Sequence, residues 1–222
     1  MVDKIIDGAR RFKEGAYQEQ QELFNKLATG QSPDVLFITC SDSRVDPSLI
    51  TQSDPGDLFI IRNAGNIVPP HALATGGTTA STEYAVGVLG VKHIVVCGHT
   101  DCGAMKGALN RDALTKLPHV CEWLGHCEAA VLNVQENFNS DDEDKVLENL
   151  IERNVLLQLQ HLRTHPYVAA RLQSGKVKLH GWVYDIGKGT FKAYNEKTDT
   201  FEELLMEAEQ ASLHADRAPK EA

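Results

Sequence analysis

The 222-residue sequence has no apolar run near the ~20 residues that cross a bilayer, so no membrane span is expected. Its opening stretch, MVDKIIDGARRFKEG, alternates charge with apolar residues and lacks the unbroken apolar core of a secretory leader. Long Lys/Arg runs are missing as well. With 22 basic residues against 31 acidic ones the formal charge is −9, which repels phosphate backbones. Neither nucleic acid nor membrane is therefore expected as a partner, and the cytoplasm is the expected compartment. Cysteine is scarce and odd in number, with five residues at positions 40, 97, 102, 121 and 127. In a chain long enough to bury a core, that count favours metal or catalytic use over a disulfide framework. No internal repeat or low-complexity linker divides the sequence, so one domain with appendages is expected.

What is present reads as alternating strands and helices. Ile5, Ile6, Ala9, Phe12, Leu23, Phe24 and Leu27 recur at helical spacing over residues 3 to 29, although Gly8 and Gly15 argue against one straight helix. DVLFIT (34 to 39), DLFIIR (57 to 62) and HIVVCG (93 to 98) are short apolar runs with polar or Gly/Pro borders, the pattern of buried parallel strands. TGGTTASTEYAVGVLG, between the last two, predicts a helix with Ala80, Tyr84, Ala85 and Val88 on its apolar face, ending near Gly90. Further helices are expected from Leu117 through the 120s, from Glu143 to Leu162, and from Pro166 to before Gly175. The acidic run at 140 to 145 suits a solvated helix start, where negative charge meets the positive end of the helix dipole. Residues 176 to 195 form two strand-like runs around IGKG, a hairpin that adds antiparallel strands. The tail from Phe201 predicts an amphipathic helix that frays into polar residues. The expected fold is α/β: a Rossmann-like, mostly parallel sheet with C-terminal antiparallel strands, flanking helices and an N-terminal helical arm.

Chemistry gathers at two predicted strand ends. Ligands in open α/β sheets collect at the carboxyl ends of strands, and here Cys40 ends DVLFIT while His99 ends HIVVCG. Cys102 follows three residues after His99, at the start of a predicted helix whose N-terminus favours a thiolate. Two cysteines and a histidine with an open fourth position match a known catalytic zinc arrangement. Cys97 lies within its strand and reads as packing. Cys121, His126 and Cys127 form a weaker alternative cluster that lacks a fourth partner. In CSDSRVDP, Asp42 and Arg44 stand two apart just beyond Cys40. A carboxylate gripped by a guanidinium stays ionised and aimed, so Asp42 can accept a hydrogen bond from a zinc-bound hydroxide. A plain loop salt bridge, or Asp42 as a fourth ligand that shuts the site, fits the same spacing.

CSDSRVDP, PGDLFIIRNAGN, EYAVGVLGVKHIVVCGHTDCGAMKG and LHGWVYD together closely resemble the β-class carbonic anhydrases, over residues 3 to 195. The combined Cys-x-Asp-x-Arg and His-x-x-Cys pattern is highly specific. The resemblance implies one zinc ion per subunit, held by Cys40, His99 and Cys102, and reversible hydration of CO2 to bicarbonate and a proton by zinc-hydroxide attack. Asp42 and Arg44 then orient the hydroxide. By position, Gln31 resembles a substrate-positioning glutamine, Phe59, Ala64 and Tyr84 an apolar wall, and Gly103 a backbone amide donor.

The resemblance further implies a homodimer at minimum, with larger oligomers common, and a pocket completed by the neighbouring chain. Residues 1 to 30 are then the dimerisation arm, 31 to 200 the zinc domain and 201 to 222 a C-terminal helix or tail. Val88 stands where some plant members carry a proton-shuttling histidine, and Phe37 where bicarbonate-regulated members carry tryptophan. The open type, with Asp42 off the metal at neutral pH, is expected. Docking to a carboxysome scaffold protein, and hence a carboxysomal location, is the less favoured alternative, because relatives of that kind carry a longer C-terminal extension. A redox protein would need Cys-x-x-Cys, which HTDC does not supply. Hydrolysis of CS2 or COS could share every motif.

Overall fold

The computed structural model describes residues 1–71 and 75–204. Six strands form one sheet: β1 (Val35–Cys40), β2 (Leu58–Asn63), β3 (His93–His99), β4 (Lys178–Asp185), β5 (Thr190–Asn195) and β6 (Thr200–Glu203). Their order is β2-β1-β3-β4-β5-β6, parallel from β2 to β4 and antiparallel from β4 to β6. The expected parallel sheet with a C-terminal hairpin is therefore present. After β1 the chain steps to β2 on one side, and it later returns to β3 on the other. That reversal leaves a crevice at the carboxyl ends of β1 and β3, the usual ligand position in such sheets.

The strands are apolar on both sides because both sides are covered at the centre. Leu36, Ile38, Ile94 and Val96 pack into the main core, while Phe37, Val95 and Cys97 form a smaller cluster on the opposite face with Trp182 against it. Each fully buried side chain of this size contributes about 1.5–3 kcal/mol. The longest helix, α9 (Glu143–Thr164), lies on β3 and β4; the helices before it are numbered α1 to α8 in chain order. Asp142 caps α9 by accepting from Asp144 N at 3.1 Å and Lys145 N at 3.3 Å, so the acidic run is the helix start that the sequence predicts. The helix seats closely because glycine faces it. A Cβ on Gly181 would stand 2.9 Å from Val155 Cγ1, and one on Gly98 would stand 3.0 Å from Val155 Cγ2.

Three expectations change, and one short helix is added. The N-terminal helix is three pieces, α1 (Val2–Glu14), α2 (Ala16–Glu19) and α3 (Gln21–Leu27), interrupted at Gly15 and at Gln20 but not at Gly8, and none of them holds a buried residue within this chain. The helix between β2 and β3 starts as α5 (Gly77–Glu83) and widens into a π-helical turn over Tyr84–Leu89. The expected apolar face is only partly buried: Ala85 is buried together with Val86, whereas Ala80 is exposed and Tyr84 and Val88 are 44% and 69% exposed. A short helix, α4 (Pro47–Thr51), follows the Cys40 loop, capped by Asp46. Finally, Phe201 does not begin a helix. It lies in β6, paired with Tyr194 of β5 at a ring-centroid distance of 5.5 Å, and residues 205–222 lie outside the described residues.

Candidate metal centre

Three chain segments meet in the crevice. Cys40 is the last residue of β1 and His99 the last of β3, and the parallel register of those strands brings both ends out together. Cys102 precedes α6 (Gly103–Leu109) as its N-cap. The two sulfurs and a ring nitrogen of His99 all lie within 4.8 Å of one another, and all three residues are buried. Among the described residues no other group of three metal-type side chains converges in this way, and Cys121, His126 and Cys127 do not. Cys97 is fully buried in β3, where burial pushes its thiol up to about 12.

The donors suit a soft divalent metal. His99 Nδ1 lies 2.8 Å from Thr100 O, a contact that needs the proton on Nδ1 and leaves a lone pair on Nε2. That Nε2 is buried and has no hydrogen-bond partner, which is costly unless something binds it. The adjacent Cys102 sulfur favours ionisation of Cys40 against the cost of burial and holds its thiol below the ordinary value, while the adjacent Cys40 and burial push the Cys102 thiol up. A zinc ion fits this set: two sulfurs and one imidazole, with the imidazole oriented by a backbone carbonyl.

Asp42 and Arg44 flank the cluster. Arg44 Nε donates to Asp42 Oδ1 at 2.9 Å and Arg44 Nη2 to Oδ2 at 2.8 Å, while the Arg44 backbone N–H donates to Oδ1 at 3.0 Å. These bonds, the guanidinium fork first, hold the Asp42 carboxyl well below the usual carboxylate range and raise the Arg44 pKa in return. Asp42 Oδ2 is 3.9 Å from His99 Nε2, so the aimed carboxylate borders the unpartnered nitrogen.

Several supporting residues have no strong sequence signal. Arg62 donates Nε to Cys40 O at 3.1 Å and Nη2 to Asp42 O at 2.8 Å, which fixes the turn between them. Asp101, between two of the clustered residues, accepts from Arg44 Nη1 at 2.8 Å and also pairs with Lys106. Those two cations, Lys106 first, hold the Asp101 carboxyl at about 2. Cys40 Sγ accepts from Gly65 N at 3.4 Å. A charged residue inside HTDC and a glycine in RNAGN were the available signals.

The residues expected around the substrate are grouped only in part. Phe59 and Tyr84 face one another with ring centroids 6.0 Å apart. Ala64 is exposed, its carbonyl accepting from Trp123 Nε1 at 2.8 Å, and Gly103 is the exposed first residue of α6. Gln31 lies in the exposed segment between α3 and β1.

The carbonic anhydrase family model matches residues 35–191, which contain all three clustered residues and the Asp42–Arg44 pair. The chain belongs to the β-class carbonic anhydrases. It is 52% identical over 201 residues to the carbonic anhydrase of Pseudomonas aeruginosa, covering 90% of each chain. It is 48% identical over 187 residues to that of Synechococcus elongatus, covering 84% of this chain and 69% of the other. Among solved structures, the β-carbonic anhydrase CcaA matches with a TM-score of 0.89 at 45% identity, over 91% of this chain and 98% of that one. A tetrameric β-carbonic anhydrase of the ascomycete Sordaria macrospora matches with a TM-score of 0.79 at 33% identity, over 86% and 95%. The chain is accordingly an enzyme with carbonic anhydrase activity, CO2 hydration being the family's general function, and its Cys/His/Cys cluster is compatible with zinc.

Proposed function

We propose that Cys40, His99 and Cys102 hold one zinc ion and that Asp42, kept in place by Arg44, orients the water that attacks CO2. The observation that carries this reading is the buried, unpartnered Nε2 of His99, set among two thiol sulfurs and 3.9 Å from Asp42 Oδ2. Zinc at this centre supplies a Lewis acid that makes water nucleophilic near neutral pH. Asp42 supplies direction. Its carboxylate stays ionised beside Arg44, so it accepts a hydrogen bond and leaves an oxygen lone pair aimed at the substrate carbon. CO2 and water then give bicarbonate and a proton.

CO2 carries no charge to grip, which suits an apolar wall of Phe59, Ala64 and Tyr84, with Gln31 and the Gly103 N–H as donors to its oxygens. Arg44 occupies both oxygens of Asp42, and Asp101 holds the far side of Arg44; both features support the open type with Asp42 off the metal.

The active unit in this reading is a homodimer or larger assembly. Ile5, Ile6 and Phe12 of the arm are 70%, 46% and 47% exposed, and a matching structure is tetrameric. None of the five cysteines is in a disulfide, which suits a reducing cytoplasm, and no helix among the described residues is long and apolar enough to cross a membrane. Stopped-flow CO2 hydration by purified protein of measured zinc content tests the proposal. Fast hydration that scales with bound zinc is expected.

A further inference from the structure

Gly65 lies where two clamps meet beside the metal centre. Its φ is +79°, and a Cβ there would stand 2.9 Å from Met105 Cε and 3.1 Å from Ala104 Cβ, so the position requires glycine. This conformation presses the Ala64–Gly65 peptide against the end of β1, and its N–H donates to Cys40 Sγ at 3.4 Å. The same peptide is held at its other end, where Trp123 Nε1 of α7 (Pro118–Leu124) donates to Ala64 O at 2.8 Å. The carbonyl and N–H of a trans peptide point in opposite directions in one plane, so the indole that pins the carbonyl also aims the N–H.

The following peptide is anchored from α9. Asn154 Nδ2 donates to Gly65 O at 3.1 Å, Asn154 Oδ1 accepts from Gln158 Nε2 at 2.8 Å, and Gln158 Oε1 accepts from Val68 N at 2.9 Å. Asn154 and Gln158 are fully buried within the apolar face of α9, where each needs its partners. Gly65 is thereby fixed on both sides, and the direction of its N–H is set by groups outside the ligand set.

We propose that Trp123 is a positioning residue for the metal centre: through the Ala64–Gly65 peptide it delivers a hydrogen bond to Cys40 Sγ and lowers that sulfur's donor strength. The inference rests on the zinc reading of Cys40. Two thiolates cancel the formal charge of a divalent metal and weaken it as a Lewis acid. A hydrogen bond to a ligand sulfur draws charge away from the metal, and outer partners of this kind tune metal sites. A peptide whose carbonyl already accepts a hydrogen bond is the stronger N–H donor, so the indole acts on the sulfur without touching it.

Trp123→Phe removes the indole N–H and keeps an aromatic ring in place. Two signals are read in the unaltered protein and in the variant: the sulfur-to-metal charge-transfer band after cobalt(II) replaces zinc, and the Gly65 amide proton shift in the zinc-loaded, 15N-labelled chain. In Trp123→Phe the band moves to longer wavelength and the Gly65 proton moves upfield, while one metal per chain is retained; an altered ring current or packing shifts the proton without moving the band, so the two changes together support the inference. Identical band and proton positions overturn the inference and leave the zinc reading intact. An unaltered protein that takes up no cobalt and shows no such band overturns both. Should Trp123→Phe fail to fold, the unaltered protein loaded with 113Cd decides: a scalar coupling between the metal and the Gly65 amide proton supports the N–H···S bond, and its absence overturns it.

Discussion

Asp42 and Arg44 form a two-pronged ion pair, with Nε–Oδ1 at 2.9 Å and Nη2–Oδ2 at 2.8 Å, and the same guanidinium reaches Asp101 at 2.8 Å from its other side. One arginine therefore joins the loop after Cys40 to the loop between His99 and Cys102. Truncating Asp42 should show what that arrangement contributes. Asp42→Ala is expected to keep its zinc and to hydrate CO2 on the order of a hundredfold more slowly, the usual size of a positioned acid–base contact. An unchanged rate in stopped flow would refute the role assigned to Asp42.

Gly65→Ala tests the backbone beneath the centre. A left-handed φ costs a residue with a Cβ about 1–2 kcal/mol, and contacts with Met105 and Ala104 add to this. Urea denaturation should report at least that loss, accompanied by weaker zinc retention. Full stability in the variant contradicts the geometry described.

Burial of Cys97 makes a prediction for alkaline pH. Its thiol is raised from an ordinary 9.0 to about 12, so the folded state keeps a proton that the unfolded state releases. The resulting stability is fully present below pH 9 and is lost as pH rises toward 12, at about 1.4 kcal/mol per pH unit. Cys97→Ala should flatten the fall in unfolding free energy over that window. Parallel curves for the two proteins would show that Cys97 ionises normally in the fold.

The exposed arm predicts its own partner. Ile5→Glu with Ile6→Glu changes residues that are 70% and 46% exposed within this chain, so the fold should persist. Sedimentation velocity should show a smaller species than the unaltered protein gives. Equal sedimentation would place the interface elsewhere.

Much of this site was readable from the sequence because its parts lie where strand patterns end. Cys40, His99 and Cys102 were found by locating the ends of apolar runs, and the spacing of Asp42 and Arg44 pointed to an ion pair. Spacing alone left three roles for Asp42, and only the side-chain geometry discloses a fork that occupies both of its oxygens. Other features depend on packing that a linear pattern does not carry. FEELLMEAEQ has helical periodicity, yet its first residues add to the sheet because β5 offers an open edge and Tyr194 meets Phe201. Ala80, Tyr84 and Val88 share the face that the sequence pattern marks as apolar, but that face is exposed within this chain, and it is Ala85 and Val86 that are buried. Asn154 and Gln158 interrupt an apolar stripe in α9, and their use appears only once the loop carrying Gly65 is seen against that helix.

The central claim is that the Cys40–His99–Cys102 cluster is a zinc centre whose occupancy determines CO2 hydration. Its most direct test is metal analysis combined with stopped-flow CO2 hydration on the unaltered protein and on His99→Ala. One zinc per chain and fast hydration are predicted for the former, with both lost in the latter. Fast hydration by zinc-free protein, or a His99→Ala chain that keeps full zinc and full rate, would contradict the account.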